Sequence, residues 1–97
     1  MPTYAWLSLF ARDWQKLTRD QQVAFLRAVA ILVEDIRAGA GFRPGLRVKK
    51  MKGHDNIWEM TWAPDGRATF SYGDSIQPGE IHVIWRRIGT HSIFTAP

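Results

Sequence analysis

The 97-residue chain has thirteen Lys and Arg against nine Asp and Glu, a net charge of +4, with 45% hydrophobic residues, five Trp and five Phe. Such a length and composition describe one globular domain, residues 1–97, and exclude disorder; the lack of cysteine excludes disulfides and thiol chemistry. The longest apolar run, Ala28 to Val33, is too short to span a bilayer, and the start Met1-Pro2-Thr3-Tyr4 lacks the features of a signal peptide, so the expected location is cytoplasmic, with no membrane partner.

The first half reads as helical. Trp6, Phe10 and Leu17, with Trp14 between them, suggest a short helix from about Tyr4 to Lys16, although Tyr4 to Phe10 also fits a first strand. Thr18-Arg19-Asp20-Gln21 has the form of a capping box. After it Gln22, Phe25, Leu26, Val29, Leu32, Val33 and Ile36 recur at helical spacing until Gly39 and Gly41 stop the helix.

The second half reads as strands. Leu46 to Met51 alternates apolar with basic residues, and Arg43, Arg47, Lys49, Lys50 and Lys52 stand together without an acid. Ala63-Pro64-Asp65-Gly66 is a hairpin turn. With a glycine bulge, Ala63 would pair with Arg67, and Trp62, Met60 and Trp58 would face Ala68, Phe70 and Tyr72. The other side of that ribbon carries Glu59, Thr61, Arg67, Thr69 and Ser71. Ile81 to Trp85 is a further strand, continuing to His91 with Gly89 permitting a bulge. The fold class is therefore α+β: two N-terminal helices on a small antiparallel sheet of three to four strands.

There is no glycine-rich phosphate loop, no nucleophile elbow and no paired metal-ligand spacing, and His54, His82 and His91 are too scattered for zinc, so no metal or cofactor is expected. The residue types that remain suit cleavage of RNA without a metal. That reaction needs a base for the 2′-hydroxyl, an acid for the departing 5′-oxygen and cations for the phosphate. Glu or His supplies the base, His the acid near neutral pH, and Arg a planar fork for phosphate oxygens. Each candidate also has an ordinary role. Arg67 after a turn is a solvated charge, His91 an edge cap, Glu59 a cross-strand partner of a base, and the Trp residues are core. Arg86 and Arg87 point to opposite faces of a strand, so one serves a site and the other an ion pair, with Glu34 or Asp35 as partner.

Four stretches carry a resemblance: Leu46 to Gly53, Ile57 to Trp62, Asp65 to Gly73 and His82 to His91. In order and kind they resemble the RelE/ParE toxin superfamily, and within it the ribonuclease branch. The helical half is similar in type only. The resemblance implies the toxin of a type II toxin–antitoxin pair, an endoribonuclease cleaving mRNA, in association with the ribosome, to inhibit translation. It implies a cognate antitoxin that forms an oligomer with the toxin and covers its site. It places Arg67 at a phosphate-binding position, His91 at a catalytic one, and Arg87 as second cation with Arg86 as the alternative. Glu59 is the candidate base, and Lys49, Lys50, Lys52 and Arg47 would hold the RNA backbone. Two other readings share these residues: a ParE-like gyrase inhibitor that cuts nothing, and a non-catalytic nucleic-acid-binding module.

Overall fold

The computed structural model describes residues 1–97. The chain runs β1 (Thr3–Trp6), α1 (Ser8–Gln15), α2 (Arg19–Ala38), a 3-10 turn (Pro44–Leu46), β2 (Lys49–Lys50), β3 (Trp58–Ala63), β4 (Gly66–Gly73), β5 (His82–Gly89) and a second 3-10 turn (His91–Thr95). The sheet order is β1-β5-β4-β3-β2. Two helices on a sheet is the expected architecture. The sheet has a fifth strand, however, and it is mixed, because β1 runs parallel to β5. The short first helix therefore begins at Ser8, and the residues before it form an edge strand with Tyr4 and Trp6 exposed and stacked at 5.9 Å.

Helix α2 follows the sequence closely. Both hydrogen bonds of the capping box form, Gln21 N to Thr18 Oγ1 and Thr18 N to Gln21 Oε1, a device that stabilises a helix start by about 1 kcal/mol. Gly39 closes the helix in the left-handed region at φ 70°. Its buried face is Phe25, Ala28, Leu32 and Asp35, whereas Leu26 stays exposed. This face lies over Met60, Ala68, Phe70, Val83, Trp85 and Ile88 of the sheet, with Phe10 of α1 completing the core. Phe25 and Phe70 meet Trp85 edge-on at 5.0 and 5.4 Å, the geometry that aromatic quadrupoles favour.

The β3–β4 hairpin keeps the expected faces but not the expected register. Ala63 pairs with Gly66 across a two-residue Pro64-Asp65 loop, a bulge falls at Trp62, and Trp58, Glu59, Met60 and Thr61 pair with Phe70, Thr69, Ala68 and Arg67. The slip is two residues, and a shift of two leaves every side chain on the same face. Gly66 is required because the Trp62 ring lies across it: a Cβ there would stand 2.6 Å from the indole. A second bulge lies in β5, where Thr69 pairs with Arg87 and Phe70 with Trp85, so that Arg86, and not Gly89, is the extra residue.

Candidate active site

With the helices covering one side of the sheet, the open side is formed by alternate residues of β2 to β5. The observed pairings join four of them into one row across the sheet: Lys49 opposite Glu59, Glu59 opposite Thr69, Thr69 opposite Arg87. At about 4.8 Å per strand, Glu59 and Arg87 are separated by roughly 10 Å at the backbone, with Thr69 between them. The Lys49 ammonium lies 3.7 Å from the Glu59 carboxylate. Next in line toward the hairpin come Thr61, Arg67 and Gly89.

Arg87 is held firmly. Its Nε and Nη2 donate to Asp13 of α1 at 2.7 and 3.3 Å, and the same carboxylate accepts from Ile88 N at 3.1 Å. The hydrogen bond and charge of Asp13 raise the guanidinium above the ordinary arginine value, in spite of burial that acts the other way. The expected partnership of an arginine with Glu34 or Asp35 belongs to a different residue, Arg43, which bridges both at 2.9 Å. Asp13 was invisible as a partner because it is 74 residues from Arg87 in the chain. It carried one signal: it lies on the apolar stripe of α1 with Phe10 and Trp14, where an acid needs a buried cation.

The bulge changes the expected geometry of the arginine pair. Rather than pointing to opposite faces, Arg86 and Arg87 both donate to the last residues of the chain. Arg86 Nε lies 3.2 Å from Pro97 O and Arg87 Nη1 lies 2.9 Å from Ala96 O. The fully buried Thr69 hydroxyl donates to the same Pro97 oxygen at 3.1 Å. Neither Thr69 nor the Ala96-Pro97 segment was singled out from sequence, where a threonine in a polar strand face carries no special mark.

Arg67 and His91 both contact the β3–β4 turn, through different groups of it. Arg67 donates through Nη1 to the carbonyls of Ala63, Pro64 and Gly66 at 3.3, 3.3 and 3.0 Å, wrapping the hairpin turn. His91, in the turn after β5, brings Nδ1 to 3.7 Å from Asp65 of that same turn and is exposed. Both side chains thus touch the hairpin turn, Arg67 on its carbonyls and His91 on its Asp65, and Arg67 also lines the groove between α2 and the hairpin. The basic segment divides. Lys49 shares the open face with Glu59, Lys50 pairs with Trp58 and so takes the other side of its strand, and Lys52 lies exposed in the following turn. Arg47, in the left-handed region at φ 49°, lies with Arg27 and Arg43 in the groove between α2 and the hairpin that Arg67 also lines. His54 is exposed in its loop and His82 bonds Thr3 of β1, so neither approaches this row. No three His, Asp or Glu side chains cluster as a metal-ligand set, and no helix is long and apolar enough to cross a membrane.

No protein-family model matches the chain, and no curated protein matches it in sequence. Solved structures do match in shape over nearly the whole length. A copper-bound mutant toxin from Helicobacter pylori superposes with a TM-score of 0.66 at 19% identity, covering 95% of this chain and 97% of that one. YafQ in the Escherichia coli DinJ–YafQ toxin–antitoxin complex gives 0.65 at 11% identity, covering 94% and 93%. The RelB–RelE antitoxin–toxin complex from Methanococcus jannaschii gives 0.59 at 15%, covering 94% of each chain. At such identities the likeness is one of architecture: this chain shares the fold of these solved toxins.

Proposed function

We propose that the protein is the toxin of a type II toxin–antitoxin pair and that it cleaves mRNA, in association with the ribosome, by side-chain chemistry alone. One observation carries this reading: the row Lys49–Glu59–Thr69–Arg87 lies on the open sheet face, and the hairpin turn next to it is contacted by both Arg67 and His91. A cationic floor with an acid in it, and an imidazole against the turn next to it, contains each element of transesterification at phosphorus.

In the reaction proposed, a base removes the 2′-hydroxyl proton as that oxygen attacks the adjacent phosphorus. The 5′-oxygen leaves with a proton from an acid, and a 2′,3′-cyclic phosphate remains. Glu59 is the candidate base and His91 the acid, with the roles of the imidazole interchangeable along the path. Arg87 and Arg67 stabilise the charge gathering on the phosphorane oxygens. Arg87 suits this because Asp13 fixes its orientation before substrate arrives. Lys49 and Lys52 attract the backbone from the face and its rim, and Lys50 and Arg47, which lie off that face, add long-range attraction.

The partner is a cognate antitoxin, in keeping with the solved neighbours, two of which were crystallised with theirs. The exposed Tyr4, Trp6 and Leu26 offer it an apolar surface around a groove of about 500 Å³ between β1 and the helices.

The test is induced expression followed by mapping of transcript ends. Cleaved transcripts with growth arrest are expected from the natural chain, and intact transcripts with growth arrest would indicate a gyrase-type inhibitor instead. Arg67→Ala and His91→Ala are each expected to relieve growth inhibition while the purified proteins keep their fold. Full toxicity in both variants would end the assignment.

A further inference from the structure

The three hydrogen bonds received by Ala96 and Pro97 come from the centre of the open face. Thr69 occupies the middle of the cross-sheet row, between the acid of β3 and the arginine of β5, and its side chain is wholly buried beneath the segment. Its hydroxyl and Arg86 Nε converge on one oxygen, and Arg87 Nη1 takes the next oxygen along the chain. Three donors, two of them cationic, thus converge on two neighbouring oxygens, an arrangement that suits the non-bridging oxygens of a phosphodiester. The bulge at Arg86 makes it possible, since without the extra residue the two arginines would diverge.

We propose that the Ala96-Pro97 segment is a displaceable plug, whose main-chain oxygens hold the place of RNA phosphate oxygens on Thr69, Arg86 and Arg87. This rests on the open face being the RNA site. The attachment fits such a role. Ile93 is the last buried residue, Ala96 is exposed, and Pro97 offers no N–H for pairing to the sheet. Beyond Ile93 only Phe94 and Pro97 are half-buried, Thr95 and Ala96 are exposed, and the floor grips the segment through backbone oxygens. RNA binding and plug release are therefore one equilibrium: the plug lowers the apparent affinity by the fraction of time that it occupies the donors.

The decisive comparison is between the full chain and a chain shortened to end at Thr95, each titrated with a short 2′-O-methyl oligoribonucleotide that can bind but cannot be cleaved. Shortening should tighten binding about tenfold, the change expected if the donors are free one-tenth of the time in the full chain. Equal or weaker binding by a shortened chain with an unchanged near-UV circular dichroism spectrum overturns the plug and leaves the RNA reading standing. No binding by either chain overturns both. A second measurement needs no variant. In the full chain, saturating oligonucleotide should shift the Ala96 methyl resonance and narrow it. An unmoved resonance at saturation overturns the proposal even if shortening impairs folding.

Discussion

Arg87 and His91 stand four residues apart, both are candidates for handling the phosphate, and the molecule holds them in opposite ways. Arg87 is four-fifths buried, locked in a two-pronged bond to a carboxylate from α1 that also accepts a backbone N–H. His91 is 78% exposed and has a single loose neighbour, Asp65, at 3.7 Å on a loop tip. The contrast separates two duties. A group that must meet developing charge works best when fixed in advance, whereas a group that carries protons needs access to water and some freedom.

Breaking the anchored half should have the largest effect. Asp13→Ala leaves a buried guanidinium without its counter-charge and Ile88 N–H without an acceptor, so we expect a loss of about 3–5 kcal/mol in urea unfolding. His91→Ala should change stability by no more than about 0.5 kcal/mol. Equal losses in the two variants would erase the distinction. Catalysis should show the reverse pattern for the exposed half. On the proposed mechanism, His91→Ala lowers the cleavage rate of a model RNA by about 10²-fold or more at an unchanged melting temperature, the usual contribution of a general acid.

How much of this was legible beforehand follows the range of the interactions. Local signals were read correctly: Thr18 and Gln21 capping α2, Gly39 ending it, and the two faces of the hairpin. Interactions between distant segments were not. Thr3–Trp6 is four residues long, and its apolar positions merge with the helical pattern that follows, so the pattern fits a first strand over Tyr4 to Phe10 as well as a helix, and nothing local marks the parallel pairing with β5. The register slip at the hairpin was undetectable from patterning, because a two-residue shift preserves inside and outside. Only the Trp62 bulge over Gly66 distinguishes the two registers. For the candidate site, parity placed Glu59, Thr69 and Arg67 on one face, but their neighbours in space could not be read. Asp13 and Pro97 reach the row from the two ends of the chain.

A gentler probe sharpens the comparison at the level of binding. Lys50 and Lys52 are exposed and make no ion pair, so their contribution should be purely electrostatic. Replacing each with Ala should flatten the plot of log binding constant against log salt concentration by about 0.7 on single-stranded RNA. Lys49→Ala should do less, since that ammonium already faces Glu59. A steeper loss for Lys49 than for Lys52 would mean that the floor, rather than the rim, holds the backbone.

The smallest expected effect carries the contrast of buried and exposed groups to the core side of the sheet. Tyr72 packs edge-on against Trp58 and Phe70, each at 5.6 Å between ring centres, and burial raises its hydroxyl above the ordinary tyrosine value of 10.0. A raised value means that the folded protein favours the neutral phenol. The resulting stability is fully present below the unfolded value and is lost as pH climbs through the higher folded one. Alkaline titration of the melting temperature should therefore show a decline beginning near pH 10, and Tyr72→Phe should remove part of it while leaving the neutral-pH value little changed. The second tyrosine supplies the control. Tyr4 is 65% exposed on the edge strand, so Tyr4→Phe should leave the alkaline limb as it was. Were both substitutions to flatten it alike, the decline would report general repulsion at high pH, and burial of Tyr72 would not be its cause.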